Sequence, residues 1–497
     1  MANIDGTAGN DNLTGTGGPD TIRGFGGNDT IGGVGSADSV DGGDGNDYLI
    51  AAAGDTIKGG AGVDSMELVY NTGVAALDLS LMTPTNTATI SDGIRVSGIE
   101  VVNIFTGAFN DHIRNGDVGA FIVAAGGADT VISGSGDDYL RGGLGDDSLN
   151  GGGGFDRIGF FAEAAANGCT VDLRLQGQRQ QTGAGNDFLL GFENVSGTAK
   201  ADTIIGDNNN NILWGSGDGT AAADGADVLL GNGGDDLLIS GDGAHTMNGG
   251  DGIDTLSLWG NGLDTTAGVS VDMNLQGSTP IDTGVGMMVL RNFENVSGSI
   301  HDDSLIGDRF ANGLAGAGGD DTLRGGASAD RLYGDGMIES DWPYAISGPI
   351  GEFDALYGGD FVTPGADVLD GGKGHDLIVG GGEADQLTGG GGNDTFRYVR
   401  LEDSAAGEED FLHDFNATND FLDLSRIDAD EAQNGDQAFV LVNALTGVAG
   451  QAALAYDSVE KITSVLLDTD GDAEPDAVIL VNARLTLANM GDGSFIA

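Results

Sequence analysis

One cysteine, Cys169, stands in the 497 residues, so no intrachain disulfide can form and no CxxC metal or redox pair exists. Proline is sparse, at 7, which separates the 93 glycines from both a collagen-like chain and a proline-rich linker. Basic residues are few. Lys+Arg 19 against Asp+Glu 78 leaves a formal charge of -59, which argues against a nucleic-acid partner and makes any compact state without bound cations costly through self-repulsion. No apolar run approaches the length of a membrane span. The opening MANIDGTAGNDNLTG has neither a basic n-region nor an apolar h-region, so export of this chain would use some other signal. HExxH, GxSxG and GxxxxGK[ST] are all missing, and His112, His245, His301, His375 and His413 lie far apart. The expectation is therefore a protein that is not an enzyme.

What the chain has instead is a rhythm. An aspartate stands every nine residues at Asp11, Asp20, Asp29, Asp38 and Asp47, and two residues after each comes Leu13, Ile22, Ile31, Val40 or Leu49. Glycines precede the aspartate, as at Gly42, Gly43 and Gly45 before Asp47 and at Gly59, Gly60 and Gly62 before Asp64. The unit is G-G-x-G-x-D-x-U-x. Glycine accepts the positive φ of a tight turn and lets its carbonyl approach a cation, while aspartate adds a hard anionic oxygen. Calcium takes six to eight such oxygens, so this loop chemistry suits calcium and suits soft metals poorly. The D-x-U-x part reads as a short strand whose apolar member faces inward once coils stack. Two nonapeptides make one coil, with ions held between neighbouring loops. The fixed period separates this chain from a disordered Gly-Asp-rich segment.

In chain order, residues 1–66 form a repeat block with candidate calcium ligands Asp20, Asp29, Asp38, Asp47 and Asp64 and loop glycines Gly43, Gly45, Gly60 and Gly62. An eight-residue step at Asp55 marks a slipped or degenerate coil. A β insert, 67–128, leads to block 129–158, with Asp129, Asp138, Asp147, Asp156, Gly143 and Gly145. Insert 159–226 precedes block 227–256, with Asp227, Asp236 and Asp254. There His245 occupies an aspartate position and reads as a lost or weakened ligand, because no second His or Cys accompanies it. Insert 257–302 precedes block 303–394, with Asp321, Asp330, Asp367, Asp376, Asp385, Asp394, Gly372 and Gly374. The inserts are related: LDLSLMT (77–83), VDLRLQG (171–177) and VDMNLQG (271–277) alternate as strands do, and Asp111, Asp202 and Asp303 mark their common end. A loop at 334–365 interrupts the last block with Pro343, Pro349, Pro364, Trp342, Tyr344, Phe353, Tyr357 and Phe361; it is either a recognition loop or an excursion covering the roll's own flank. Within 395–497, DTDGDAEPD offers Asp468, Asp470, Asp472 and Asp476 as a further calcium loop or a plain hairpin turn.

These nonapeptides resemble those of RTX proteins, and EEDFLHDFNATNDFLDLSRID with LLDTDGDAEPDAVILVNARLTLANMGDGSFIA resembles the serralysin-type C-terminal domain of proteins exported by type I secretion. The resemblance covers the repeat and export parts of serralysins and not their zinc-protease motif. It implies an all-β fold, a right-handed parallel β-roll or β-solenoid with a C-terminal β-rich cap. It also implies multiple bound Ca2+ ions, recognition of the C-terminal domain by a type I (ABC) exporter, and a secreted, extracellular location. The expected function is a non-catalytic calcium-binding protein with a surface, matrix or adhesive role, in contact with cell-surface or matrix glycans. The alternative is a polysaccharide lyase or epimerase with its site on the solenoid face, for which Arg174, Arg179 and Arg291 fall in equivalent inserts but at unlike positions.

Overall fold

The computed structural model describes all residues except 34–36, 53, 71–76, 81–87, 90–93, 117–118, 161–167, 217–224, 259–266, 337–363, 431–432, 434–436, 488–494 and 497. The aromatic side chains of the 334–365 loop, Trp342, Tyr344, Phe353, Tyr357 and Phe361, thus lie outside the described residues, as do Ser494 and Ala497 of the closing SFIA. Two compact units divide the chain, one containing Met1–Asp218 and Asp224–Gly233, the other Gly234–Glu339 and Gly348–Ala497.

In the first unit the nonapeptide becomes a strand of three to six residues, and alternate strands fall on two parallel sheets. Asn3–Asp5, Thr21–Gly26, Ser39–Asp44 and Thr56–Ala61 pair in one sheet, while Asn12–Thr14, Thr30–Gly32, Tyr48–Ala51 and Ser65–Val69 pair in the other. Partners are 18 residues apart, so two nonapeptides make one coil. Parallel pairing follows because each coil repeats the direction of the last. The apolar residue two after each aspartate faces in: Ile22, Ile31, Leu49, Ile57 and Met66 are wholly buried. Each contributes roughly 1.5–3 kcal/mol of burial, and none could be buried by a single repeat alone.

The step at Asp55 is not degenerate. It shortens one loop by a residue, and the register simply changes to a 17-residue spacing, with Val40 opposite Ile57 and Leu49 opposite Met66. The inserts are enlarged coils of the same sheets. Ser65–Val69 pairs with Val101–Phe105, Ser148–Gly152 with Asn186–Leu190 and Arg157–Gly159 with Asn194–Ser196. The alternation in VDLRLQG stops sooner than the pattern suggests. Thr170–Asp172 is a strand, but the Asp172 carboxylate accepts the amide of Arg174 at 3.0 Å and turns Leu173–Leu175 into a 3-10 helix.

The second unit repeats this plan. Its inserts carry the same capped turn, with Asp272 accepting from Asn274 at 3.0 Å before Met273–Leu275. One of its sheets runs through Ser304–Ile306, Thr322–Ala327, Val368–Gly374 and Gln386–Thr388 to Phe411–Leu412 and Ala477–Val481, all parallel. There the direction changes: Ala477–Val481, Thr463–Asp468 and Gln451–Tyr456 are antiparallel neighbours. The parallel stack thus ends in a meander, a β-rich cap continuous with the last repeat strands.

The loops constrain glycine sharply at Gly143, where φ is 87° and a Cβ would overlap the carbonyl of Ala125 in the preceding coil. Gly153, in the same block, has nothing within 4 Å of its would-be Cβ. Replacing Gly143 by Ala should therefore cost roughly 1–3 kcal/mol, read as a lowered midpoint of thermal unfolding in saturating calcium. Gly153→Ala should leave that midpoint unchanged, and equal effects of the two would refute the assignment.

Candidate metal centre

Most described coils place an aspartate just before a strand, buried beneath the loop, and the carboxylates stack. One oxygen of each is committed to a ladder of backbone hydrogen bonds. Oδ1 of Asp29 accepts the amide of Asp11 at 2.8 Å, Asp47 that of Asp29 at 2.9 Å, and Asp64 that of Asp47 at 3.0 Å. Asp38 accepts from Asp20 at 2.7 Å. The same bond recurs at Asp129, Asp138, Asp147, Asp156 and Asp227, and in the second unit at Asp254, Asp321, Asp330, Asp367, Asp376, Asp385 and Asp394. Asp236 is buried in its coil and donates its amide to Asp254. His245 is buried at the position where the rhythm calls for aspartate, just before strand Thr246–Asp251.

The other oxygen is the informative one. Oδ2 of Asp29, Asp38, Asp47, Asp64, Asp129 and Asp156, and of Asp254, Asp321, Asp330, Asp367, Asp376 and Asp385, is buried with no hydrogen-bond donor. It points at a glycine. The Asp29 oxygen and the carbonyl of Gly42, one coil on, both crowd the spot a Cβ on Gly24 would occupy, and the pattern repeats for Asp47, Gly59 and Gly42, and for Asp321, Gly334 and Gly316. A buried ionised oxygen without a donor is expensive, and a carbonyl turned toward it repels it further. Two oxygens converging without a proton between them fit a hard cation, and calcium fits the all-oxygen donor set. The loop glycines Gly43, Gly45, Gly60, Gly62, Gly143, Gly145, Gly372 and Gly374 all have positive φ, from 87° at Gly143 to 158° at Gly374. They hold the loop in the shape that presents these carbonyls.

A second kind of coil satisfies itself. Where Thr or Ser stands four residues before the aspartate, its amide and hydroxyl bond the second oxygen: Thr16 to Asp20 at 2.6 Å for both groups, and the amides of Thr198 and Ser299 to Asp202 and Asp303. Asp20, like Asp11 with Thr7, is thus set apart from Asp29, Asp38, Asp47 and Asp64, and the Thr16 hydroxyl holds its carboxyl below the usual range.

Sequence reasoning missed the residues that close each block. Glu100, Glu193 and Glu294 stand in the place of a next aspartate, each Oε2 accepting the amide of Asp64, Asp156 or Asp254 at 2.8–2.9 Å. The carbonyls of Gly98, Gly191 and Asn292 approach Gly59, Gly151 and Gly249 as repeat carbonyls do. The shared signal was a Glu two residues after these carbonyls, in GIEVV, GFENV and NFENV. A further ladder runs outside, from Asn28 to Asn10 at 2.8 Å and from Asn46 to Asn28 at 2.9 Å, which explains the Asn or Asp that precedes so many of the buried aspartates. In the terminal domain, carboxylate oxygens of Asp468, Asp470 and Asp476 lie within 4.8 Å of one another. Asp472 is not in that group; it accepts the amide of Glu474 at 2.8 Å.

Burial pushes these carboxyls upward, and neighbouring carboxylates push them further. Asp129 and Asp254 are raised to about 7, Asp156 to about 8 with Asp138 beside it, Asp321 to about 9 beside Asp303, and Asp367 to about 10 beside Asp385 and Asp321. The ordinary aspartate value is near 4. In the metal-free folded chain Asp156, Asp321 and Asp367 are therefore protonated at neutral pH, and Asp129 and Asp254 are about half protonated.

The chain carries RTX calcium-binding nonapeptide repeats, matched at residues 5–35, 33–55, 123–158, 190–219, 222–256 and 306–336, and a peptidase M10 serralysin C-terminal domain, matched at 366–490. It is 39% identical over 83 residues to the serralysin of Photorhabdus luminescens, and 42% identical over 85 residues to metalloprotease AprA of Pseudomonas entomophila (strain L48). Each match covers 17% of this chain and 17% of the relative, so the chain spans about a sixth of the length of the curated relatives it matches. Among solved structures, the AlgE6R2 subunit of the Azotobacter vinelandii mannuronan C5-epimerase is similar at 25% identity and a TM-score of 0.23, covering 39% of this chain and 90% of that one.

A group whose pKa is raised on folding stabilises the fold below its unfolded value, near 4, and loses that contribution as pH rises through the folded value. In chelator, β-structure measured by circular dichroism should accordingly grow as pH falls from about 9 toward 5. With calcium the sign reverses, because the ligands must be deprotonated to bind, and affinity should weaken over the same range. A chelated chain whose structure is indifferent to pH in this window would contradict the assignment.

Proposed function

We propose that the protein is a secreted, non-catalytic calcium-binding solenoid that folds on calcium after export and works at a cell surface or in an extracellular matrix. The observation that carries this reading is the series of buried Oδ2 atoms facing glycine carbonyls, which call for a cation at one coil after another. The serralysin C-terminal match at 366–490 supports export through a type I (ABC) exporter that reads this end of the chain. Among the described residues, no helix is long and apolar enough to cross a membrane.

The non-catalytic part of the reading rests on what the insert arginines do. A polysaccharide lyase or epimerase would need basic groups gathered beside its acids. Here each arginine serves its own loop: Arg174 pairs with Asp172 at 2.8 Å, Arg179 donates to the carbonyl of Asn186, and Arg291 to that of Gly277. In this account the candidate ligands of the repeats, the block-closing glutamates and the cluster at Asp468, Asp470 and Asp476 serve as calcium ligands or ladder partners, Glu294 through one carboxylate oxygen. Supplied at the loops, calcium would provide charge neutralisation and tie neighbouring coils together.

Deleting residues 395–497 should leave the protein inside a producing cell that expresses a cognate exporter. Fusing that segment to an unrelated slow-folding passenger should carry the passenger into the medium. Immunoblots of cell and medium fractions decide; a truncated chain reaching the medium at the normal level would overturn the export reading.

A further inference from the structure

The two capped-turn inserts are related copies, and one of the places where they differ is the loop after strand Thr203–Ile205 in the first unit and Ser304–Ile306 in the second. In the first unit the loop reads GDNNNN, and Asn209 folds back so that its amide bonds both oxygens of Asp207, at 3.1 and 2.9 Å. In the second unit the same loop reads GDRFAN. Phe310 replaces Asn209 and contributes only its backbone amide to Asp308, at 2.8 Å. Its ring is 55% exposed, with the Arg309 guanidinium 4.5 Å above one face. Asp308, Arg309 and Phe310 form one wall of a cleft of about 380 Å³, whose other side is formed by Asn292, Glu294 and the capped turn at Asn274. That volume lies within the rough range of 300–1,000 Å³ for small-molecule sites.

The chemistry of the cleft narrows its ligand. Two carboxylates, Asp308 and Glu294, accept hydrogen bonds; Arg309 donates them; Phe310 offers one apolar face. An anionic ligand would meet these two carboxylates in a chain of formal charge -59. A wholly apolar ligand would strand the polar rim. A molecule with an apolar face and a rim of hydroxyl donors and acceptors satisfies every group, through charge-assisted bonds to the carboxylates and contact with the ring. The geometry points to a binding site for a neutral sugar, a hexose unit of a glycan, formed by Phe310, Arg309, Asp308, Asn292 and Glu294 in the second unit. It rests on the calcium-folded state and gives the surface role proposed above a specific ligand class.

The test uses the full chain in saturating calcium and a double variant, Arg309→Asn with Phe310→Asn, which restores the Asn208 and Asn209 of the first unit. That sequence already folds in the homologous turn. Far-UV circular dichroism, taken before any sugar is added, confirms that both proteins are folded and reports separately on the calcium reading. Saturation-transfer NMR is then recorded with D-glucose, D-galactose and D-mannose, and with sodium D-glucuronate. Transfer to the ring protons of at least one neutral hexose is expected for the wild type, falling by at least about fivefold in the double variant, in line with the loss of one aromatic contact and one charged donor. Glucuronate should give the weaker signal. No transfer from any hexose, equal transfer in the two proteins, or stronger transfer from glucuronate would each overturn the proposal.

Discussion

A carboxylate with one oxygen bonded and the other bare, repeated at coil after coil, is the constraint on which the rest of this protein depends. The bonded oxygen sets the register, because the backbone amide of one repeat aspartate after another, as at Asp11, Asp29 and Asp47, is satisfied by the carboxylate of the next coil. The bare oxygen sets the price of folding, since a buried anion facing a carbonyl is unfavourable until a cation stands between them. Glycine is required around it, because any side chain at Gly24, Gly42 or Gly316 would occupy the space in which the two oxygens converge. The apolar interior, thin and built from one Ile, Leu, Val or Met per strand, is too small to outweigh such a cost by itself.

Calcium supplies what is missing. At roughly 1 mM free calcium and a site dissociation constant of about 10⁻⁴ M, each site adds about 1.4 kcal/mol. Several such sites together match the 5–15 kcal/mol by which ordinary domains are stable. Cytosolic calcium is far lower, so the proposed function has the same chain expanded where it is made and folded where calcium is plentiful. The formal charge of -59 works in the same direction, holding the metal-free chain open. The block-closing Glu100, Glu193 and Glu294 carry this logic across the inserts, joining each enlarged coil to the repeat before it by the same carboxylate-to-amide bond.

Much of this was legible in the sequence because it is periodic. Asp, Gly and the apolar residue two positions on recur at a fixed step, and that step alone gave the parallel pairing, the buried face and the calcium chemistry. What broke the period was harder to read. The eight-residue step at Asp55 looked like damage but only tightens a loop, since a hydrogen-bonded ladder tolerates a shorter connection as long as the strands stay in register. The glutamates were hidden because their partners lie an insert's length away, 36, 37 and 40 residues, with no common spacing. The hydroxyl-capped coils turned on one residue, Thr16, Thr198 or Ser299, whose effect depends on whether its amide or hydroxyl reaches Oδ2. The strand in VDLRLQG ended early because Asp172 serves as a cap, a local competition that alternation of apolar residues does not reveal. The cleft beside Phe310 could be seen only by setting two copies of one loop side by side in space.

The central claim is that calcium binding and folding are one equilibrium. It is tested most directly by titrating calcium into the chelated full-length chain at neutral pH while following far-UV circular dichroism and hydrodynamic radius together. The account predicts an expanded chain with little β-structure in chelator, and a joint, cooperative gain of β-structure and compaction over one range of calcium concentration. A chelated chain that already shows its full β-signal and compact radius would contradict it.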